Sequence, residues 1–309
     1  AFPNENSFCV TSLIAYDLLS TIEILETDLS KKQINTAKII CRDLIKFIVK
    51  NDENHSFISN HLATAVIALF KYHDLIGYEA ANEKGYLLLE KIIRNQSKDG
   101  WYKEYEGADP GYQSLCTFYL AEIYKLRPSL KLKKSIKKSL RYLCYFVHPD
   151  GSFGGIYGSR NTLFYYPSGF ENLKEIFEEA STIANYMKNS INNNTVVTLE
   201  TLDGPNLSAM FNSYCLAAVY NNSKKSKKDM ILPFQQKEDY TKNFKSSGIF
   251  IFNNQNNYSI ISYFKGGVCY SFDKIKTTNS LINTGVVYKK GRHLYTTQSL
   301  QKPKELIID

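Results

Sequence analysis

Residues 96–111, QSKDGWYKEYEGADPG, decide how this chain is organised, because they place a long polar and aromatic link between two helical patterns. Apolar residues recur at three- and four-residue spacing over residues 78–95 before the link and over residues 112–124 after it, which predicts a helix on each side. The same alternation continues outward in both directions.

The spacing predicts helices over residues 8–25, 31–49, 61–75, 78–95, 112–124, 130–146, 171–191 and 206–220. Short links join the first helix to the second, the third to the fourth and the fifth to the sixth, so these pairs are antiparallel hairpins. The links between the pairs, over residues 50–60, 96–111 and 147–170, are long and rich in Asn, Asp, Gly and aromatic residues. All the long links therefore lie at one end of the helical bundle.

The long links also resemble one another, at offsets of roughly 44 and 52 residues, which suits a repeat of two helices. Repeated hairpins either stack into a solenoid or close into a ring, and the spacing alone leaves both open. After residue 244, short β-branched and aromatic runs are separated by Asn-Asn, Gly-Gly and Lys-Gly turns, which predicts an antiparallel sheet. We therefore expect an α+β protein with a helical domain over residues 1–230 and a β-rich domain over residues 244–309.

The chain carries 38 Lys and Arg against 30 Asp and Glu, a formal net charge of +8. Lysine runs occur only at residues 131–138 and 224–228, and we interpret both as solvated surface, with no nucleic-acid partner. No apolar run approaches the length of a membrane span, and the first residues do not form a basic segment followed by an apolar one. The abrupt start and finish suggest a piece of a longer protein, so the β-rich domain is expected to be truncated.

The six cysteines show no CxxC spacing, and most lie in apolar periodic runs, so we expect unpaired thiols. Unpaired cysteines favour a cytoplasmic location, but the sequence does not establish the location. No metal or other cofactor is indicated. His55, His73 and His148 have no spacing typical of metal ligands and are expected on the surface or in loops.

Polar residues open the predicted inner helices, where a core helix would begin with apolar residues. Residues 59–61, Ser-Asn-His, and residues 109–113, Asp-Pro-Gly-Tyr-Gln, each precede an apolar helical run. Helix N-termini carry unsatisfied N–H groups and partial positive charge, so several pointing inward suit a carboxylate or a sulfate. The alternative is that residues such as Asn60 and Asp109 are N-caps, but this leaves His61 and Tyr112 unexplained.

These motifs, with Asp99-Gly100-Trp101 followed by Glu104 and with Lys265-Gly266-Gly267, resemble the heparinase II/III-like group of polysaccharide lyases. The resemblance covers most of the chain, which would be a partial or divergent member. It implies an (α/α) toroid followed by a C-terminal β-sandwich. Members of this group are often periplasmic or secreted.

The resemblance also implies roles for individual residues. Asn60 and His61 match the Asn-His pair of the group, and Tyr112 matches its catalytic tyrosine. The chain departs from the pattern at Gln113, where such enzymes often have His, and it offers no counterpart for a further His from the β domain.

β-Elimination at a uronate requires removal of a weakly acidic proton beside a carboxylate, so the carboxylate must first be neutralised by hydrogen-bond donors. Asn60 would neutralise it, His61 or Tyr112 would act as base, and Tyr112 would return a proton to the leaving oxygen. The expected partner is an acidic polysaccharide or oligosaccharide.

Side chains on the long links are candidates for binding the sugar. Arg160 offers a planar fork for a carboxylate, and Trp101 and Tyr157 offer ring faces. We include the polar residues Glu104, Gln113 and Asn161 in the substrate-binding set. The alternative for the loop over residues 151–170 is an ordered structure whose aromatic residues close the mouth of the ring.

Two other functions remain open. A glycoside hydrolase on the same fold would use carboxylates such as Glu104, Glu106 and Asp109 as acid and base. A non-catalytic carbohydrate-binding or glycan-assembly protein would have kept the fold without the chemistry, and Gln113 in place of His favours it. Elimination produces an unsaturated sugar that absorbs ultraviolet light, whereas hydrolysis does not.

Overall fold

Nine α-helices occupy the first part of the chain in the computed structural model, which describes residues 6–298 and residue 300. They are α1 (Phe8–Ile24), α2 (Lys31–Lys50), α3 (Ser59–Ile76), α4 (Glu79–Arg94), α5 (Pro110–Leu126), α6 (Leu130–Leu143), α7 (Ser168–Leu173), α8 (Glu178–Asn192) and α9 (Gly204–Ser223). The first six match the predicted helices closely. The helix predicted over residues 171–191 is instead two helices, α7 and α8.

Local signals in the sequence fix several helix ends. Ser30 and Gln33 form a capping box at the start of α2, and the Ser129 hydroxyl accepts the Leu132 N–H at the start of α6. Gly77 ends α3 with φ of 74°, a left-handed conformation that glycine adopts without strain. The tight turn at Gly77 then returns the chain directly into α4.

The odd-numbered helices form an inner row, since α1, α3, α5, α7 and α9 contact one another in that order. The even-numbered helices pack outside them as hairpin partners. The two ends of the row are joined, because Asp17 on α1 accepts hydrogen bonds from Ser208 at 3.2 Å and Asn212 at 2.8 Å, both on α9. The inner helices α3, α5 and α7 follow the three predicted long links, over residues 50–60, 96–111 and 147–170.

The strands are antiparallel. They are β1 (Lys103–Glu104), β2 (Gly107–Ala108), β3 (Tyr240–Phe244), β4 (Ile249–Asn253), β5 (Asn257–Ser262), β6 (Val268–Asp273), β7 (Thr278–Asn283), β8 (Val287–Lys290) and β9 (His293–Thr296). Strands β3 to β7 form one sheet in sequence order, which confirms the predicted antiparallel sheet. β1 with β2 and β8 with β9 are separate hairpins. The sheet begins at Tyr240, slightly before the predicted boundary, and the described residues include no second large sheet facing it.

Aromatic residues join the sheet to the helices. Phe244 at the end of β3 packs its ring against those of Tyr142 and Tyr145, with centroids 4.9 and 5.1 Å apart. The Tyr258 hydroxyl on β5 donates to the Tyr145 carbonyl at 2.7 Å. One cluster of buried apolar side chains therefore runs from the helices into the sheet.

Cys41, Cys116 and Cys144 are buried free thiols, and Cys215 and Cys269 are also free, which confirms the prediction for these five. Among the described residues, no helix is both long and apolar enough to cross a bilayer.

Candidate active site

The β1–β2 hairpin, within the second long link, docks on the start of α3. The Tyr105 N–H donates to the Phe57 carbonyl at 3.1 Å, and the Ser59 hydroxyl donates to the Lys103 carbonyl at 2.7 Å. Tyr105, at the hairpin tip, has φ of 58°, a left-handed conformation that is strained for a residue other than glycine. The hairpin directs Glu104 toward the helix N-terminus.

Asn60 and Glu104 form a buried pair below the hairpin. The Asn60 backbone N–H donates to Glu104 Oε1 at 3.1 Å, and Asn60 Nδ2 donates to Oε2 at 2.7 Å. Both residues are almost inaccessible to solvent. Burial raises the pKa of Glu104 well above its usual range, against the opposing effect of these hydrogen bonds.

His61, the next residue of α3, is oriented by Glu53. Its Nδ1 lies 2.6 Å from Glu53 Oε2, and Glu53 also contacts His55. Burial alone would raise the pKa of Glu53, but hydrogen bonds with His61 and His55 lower it to about 2. A carboxylate at Nδ1 leaves Nε2 of a neutral His61 ring as the proton acceptor. Among residues 6–298 and 300, no group of three or more His, Cys, Asp and Glu side chains is arranged to hold a metal ion.

Tyr112 lies in the first turn of α5, where Asp109 is the N-cap. The Asp109 carboxylate accepts the Tyr112 N–H at 3.0 Å, and the Tyr112 ring meets the edge of Phe164. Burial, assisted by the Asp109 charge, raises the pKa of Tyr112 to about 12. The phenol therefore holds its proton at neutral pH.

A cleft of about 380 Å³ is lined by Tyr112, Arg160 and Asn161, together with Asp203 at the start of α9. The exposed Arg160 guanidinium lies over the Tyr105 ring, 4.1 Å from its centroid. The cleft wall therefore carries one carboxylate as well as one guanidinium, so it is less uniformly cationic than helix N-termini alone would suggest.

The structure thus brings Tyr112, Arg160 and Asn161 together on one cleft. Glu104 and its hydrogen-bond partner Asn60 are both buried, and neither is among the residues that line the cleft. His61 is not among the residues that line the cleft.

Comparisons with known proteins give fold-level likeness only. No family model and no curated protein matches the sequence. Among solved structures, a polysaccharide lyase is similar with a TM-score of 0.48 and 10% identity, covering 69% of this chain and 74% of that chain. A family 88 glycosyl hydrolase from Bacteroides vulgatus has a TM-score of 0.39 and 11% identity, covering 64% of this chain and 59% of that one. At these similarities neither comparison assigns an activity.

Besides Glu104, three residues of the predicted binding set do not line the cleft: Gln113, Trp101 and Tyr157. Gln113 is fully buried and donates to the Ser139 hydroxyl at 2.7 Å, so it joins α5 to α6. Trp101 is 9% exposed, and its Nε1 donates to the Ser246 hydroxyl at 2.9 Å. The donor nitrogens of both side chains therefore bond to other protein groups, as buried polar groups generally do, and do not face a ligand.

Tyr157 is also buried, and its hydroxyl lies 2.8 Å from Nε2 of His148. His148, expected on the surface or in a loop, is instead fully buried and stacks on Phe272 of the sheet. Burial lowers the pKa of His148 to about 3. The pair joins the third long link to the sheet and does not face the cleft.

Three residues that bear on the site were not predicted from the sequence. Glu53 orients His61, Tyr105 supports the Arg160 guanidinium, and Lys265 binds the loop that carries Arg160. The Lys-Gly-Gly motif was noted, but its contact with a loop more than a hundred residues away has no local signal.

Proposed function

We propose that this chain is a polysaccharide lyase-like enzyme of the heparinase II/III-like group, which cleaves an acidic, uronate-containing glycan by β-elimination. The observation that supports this most is the position of Tyr112 and Arg160 on the same cleft. A guanidinium suits the uronate carboxylate, and a phenol suits the leaving oxygen.

Each site residue has a role in this proposal. Arg160 binds the uronate carboxylate. Asn60, which the resemblance assigns to neutralising that carboxylate, is buried against Glu104 and does not line the cleft, so its role here is to fix the start of α3. His61, oriented through Nδ1 by Glu53, takes the proton beside the carboxylate at Nε2. Asn161 and the cleft wall contact the sugar hydroxyls.

The step balances without a cofactor. The base removes the proton from the carbon that bears the carboxylate, and the electron pair forms a carbon–carbon double bond as the neighbouring carbon–oxygen bond breaks. Tyr112 gives its proton to the departing oxygen, and the raised pKa of this phenol suits it to the acid role rather than to the base role. A proton returned from His61 through solvent restores both groups.

Hydrolysis has less support from the geometry. Glu104 and Asp109 are fully buried, and both accept hydrogen bonds from the protein, so neither presents a carboxyl group to the cleft. Glu106 is exposed but does not line the cleft, which leaves Asp203 alone where hydrolysis needs a pair of carboxyl groups. A binding protein without catalysis would use the same cleft but would form no product.

We also propose that the inner row of helices is an (α/α) toroid domain over residues 1–230, followed by a β-rich domain over residues 244–309. The hydrogen bonds from α9 to Asp17 support closure of the ring.

The direct test is to incubate the protein with a panel of uronate-containing polysaccharides. We expect ultraviolet absorbance from the unsaturated product to rise together with new reducing ends. New reducing ends without that absorbance would indicate a hydrolase. Binding without either product would indicate a binding protein, and absence of binding to every acidic glycan would contradict the proposal.

A further inference from the structure

A buried lysine from the β part of the chain enters the loop that carries Arg160. Lys265 follows β5 and is only 3% exposed. Its Nζ donates to the carbonyls of Ile156 and Gly158, the latter at 2.9 Å, and to the Asn161 side-chain oxygen. An ammonium has three hydrogens, so all three are used within this one loop.

The same loop, residues 156–162, is held on its other side by Asp109. The Asp109 carboxylate accepts the Arg160 N–H at 2.8 Å and also binds Thr162 through its hydroxyl. Carbonyl oxygens of the loop therefore face a buried cation, and N–H groups face a buried anion. Such charge-assisted hydrogen bonds are stronger than neutral ones and favour one loop conformation.

One residue of the loop lies in the left-handed region, which asparagine adopts more readily than most residues other than glycine. Asn161 has φ of 61°, which is left-handed, and the Asn161 side chain is one of the groups that Lys265 binds. Burying the Lys265 ammonium is costly unless its hydrogens are satisfied, so lysine and loop stabilise each other only when the loop is closed.

We propose that Lys265 is a positioning residue for the cleft: it fixes the loop of residues 156–162 so that the Arg160 guanidinium stands over Tyr105 and faces the cleft. The turn between β5 and β6, which carries Lys265, thereby connects the sheet to the site. Lys265 holds this loop whether or not the protein is an enzyme. The effect of the loop on binding an acidic glycan rests on the proposed function.

Lys274 provides a matched control. Its Nζ also donates to two backbone carbonyls, those of Gln236 at 2.8 Å and Asn254 at 2.7 Å, and to one asparagine side chain, Asn253 Oδ1 at 3.0 Å. These partners lie beside the sheet and not in the cleft loop. Lys265→Met and Lys274→Met therefore remove the same set of bonds in two different places.

The experiment is limited digestion of the full chain with an arginine-specific protease. Mass spectrometry measures the rate at which the bond after Arg160 is cleaved. Because the loop must open to enter a protease, we expect Lys265→Met to speed this cleavage at least about tenfold, while Lys274→Met changes it less than about twofold. We also expect Lys265→Met to weaken binding of a uronate oligosaccharide, with a larger effect on KM than on kcat.

An unchanged cleavage rate in folded Lys265→Met would overturn the proposal, as would equal acceleration in both variants. Lys265→Gln, which keeps part of the hydrogen bonding, should give an intermediate rate and replaces the methionine variant if that one does not fold. If no acidic glycan is bound or cleaved by the wild type, the proposed function fails, while the cleavage rates still decide whether Lys265 fixes the loop.

Discussion

Asn60 and Glu104, 44 residues apart in the sequence, are joined by two hydrogen bonds at the base of the candidate site. One bond comes from the Asn60 backbone N–H and the other from its side chain, so the start of α3 and the β1–β2 hairpin are fixed relative to each other. The hairpin also supports Tyr105, over which Arg160 lies. The pair therefore has a structural role beneath the cleft in addition to any role in catalysis.

Asn60→Ala removes the side-chain bond and leaves a buried oxygen of Glu104 without that donor. We expect the free energy of unfolding, measured with urea, to fall by about 2 kcal/mol. Asn82 makes the corresponding amide-to-carboxylate bond to Glu79 at 2.8 Å on the surface. Asn82→Ala should cost less than about 0.5 kcal/mol, because water replaces an exposed bond. Equal losses in the two variants would show that burial of the Asn60 pair has no effect.

Tyr112→Phe keeps the ring contact with Phe164 but removes the transferable proton. We expect kcat for elimination to fall by about 100-fold or more, with affinity for the glycan nearly unchanged, because general acid catalysis contributes at least this much. Tyr295→Phe, at an exposed position in β9, is the control and should have full activity. A Tyr112→Phe enzyme that retains most of its turnover would remove Tyr112 from the mechanism.

The helical part of the fold was predictable because each helix has its own local signals. Periodic apolar residues, capping groups such as Ser30 and the turn at Gly77 lie within a few residues of the helix ends that they define. The α7–α8 break was missed because apolar residues at helical spacing continue across it, and only tertiary packing distinguishes one helix from two. The β1–β2 hairpin was missed because its two-residue strands are too short to show alternation.

The candidate site was predictable only in part, because only some of its residues have local signals in the sequence. Tyr112 lies in a polar motif at a helix start and Arg160 in a conspicuous loop, and both line the cleft, while their roles stay predictions. Asn60 lies in a similar motif but is buried. Gln113, in contrast, sits beside Tyr112 in the same motif, yet the turn of the helix directs it into the core toward Ser139. Glu53 reaches His61 from an irregular link, which no sequence periodicity describes.

Glu53→Gln tests whether His61 acts as the base. Glutamine can still accept a hydrogen bond from Nδ1, but it supplies no charge to stabilise the imidazolium that forms when Nε2 takes a proton. We expect kcat to fall at least about tenfold and KM to change little. Asp52→Asn is the control, because Asp52 is the adjacent acidic residue and pairs with Lys84 at 2.8 Å. Equal activity of the two variants would contradict a base role for His61.

His148 should make the stability of the protein depend on pH in a defined direction. Its folded-state pKa is lowered to about 3 by burial, whereas the unfolded chain titrates near the ordinary value of 6.5. Stability from neutral His148 is therefore fully present above about pH 6.5 and is lost as pH falls toward 3, because the unfolded state then binds the proton more readily. Buried carboxyl groups with raised pKa, such as Glu104, act in the opposite direction, so the wild-type curve alone does not isolate His148.

The difference in unfolding free energy between wild type and His148→Gln isolates the contribution of His148. Glutamine does not titrate, so the variant should lack the loss that the wild type suffers on acidification. Between pH 7 and pH 5 we expect the gap in unfolding free energy between the two proteins to shift by about 2 kcal/mol in favour of the variant, from the proton linkage of one histidine. The measurement is urea unfolding at several pH values. His293→Gln, at an exposed position in β9, is the control, and its gap from wild type should stay nearly constant. A gap for His148→Gln that does not change with pH would mean that His148 is not held neutral in the folded protein.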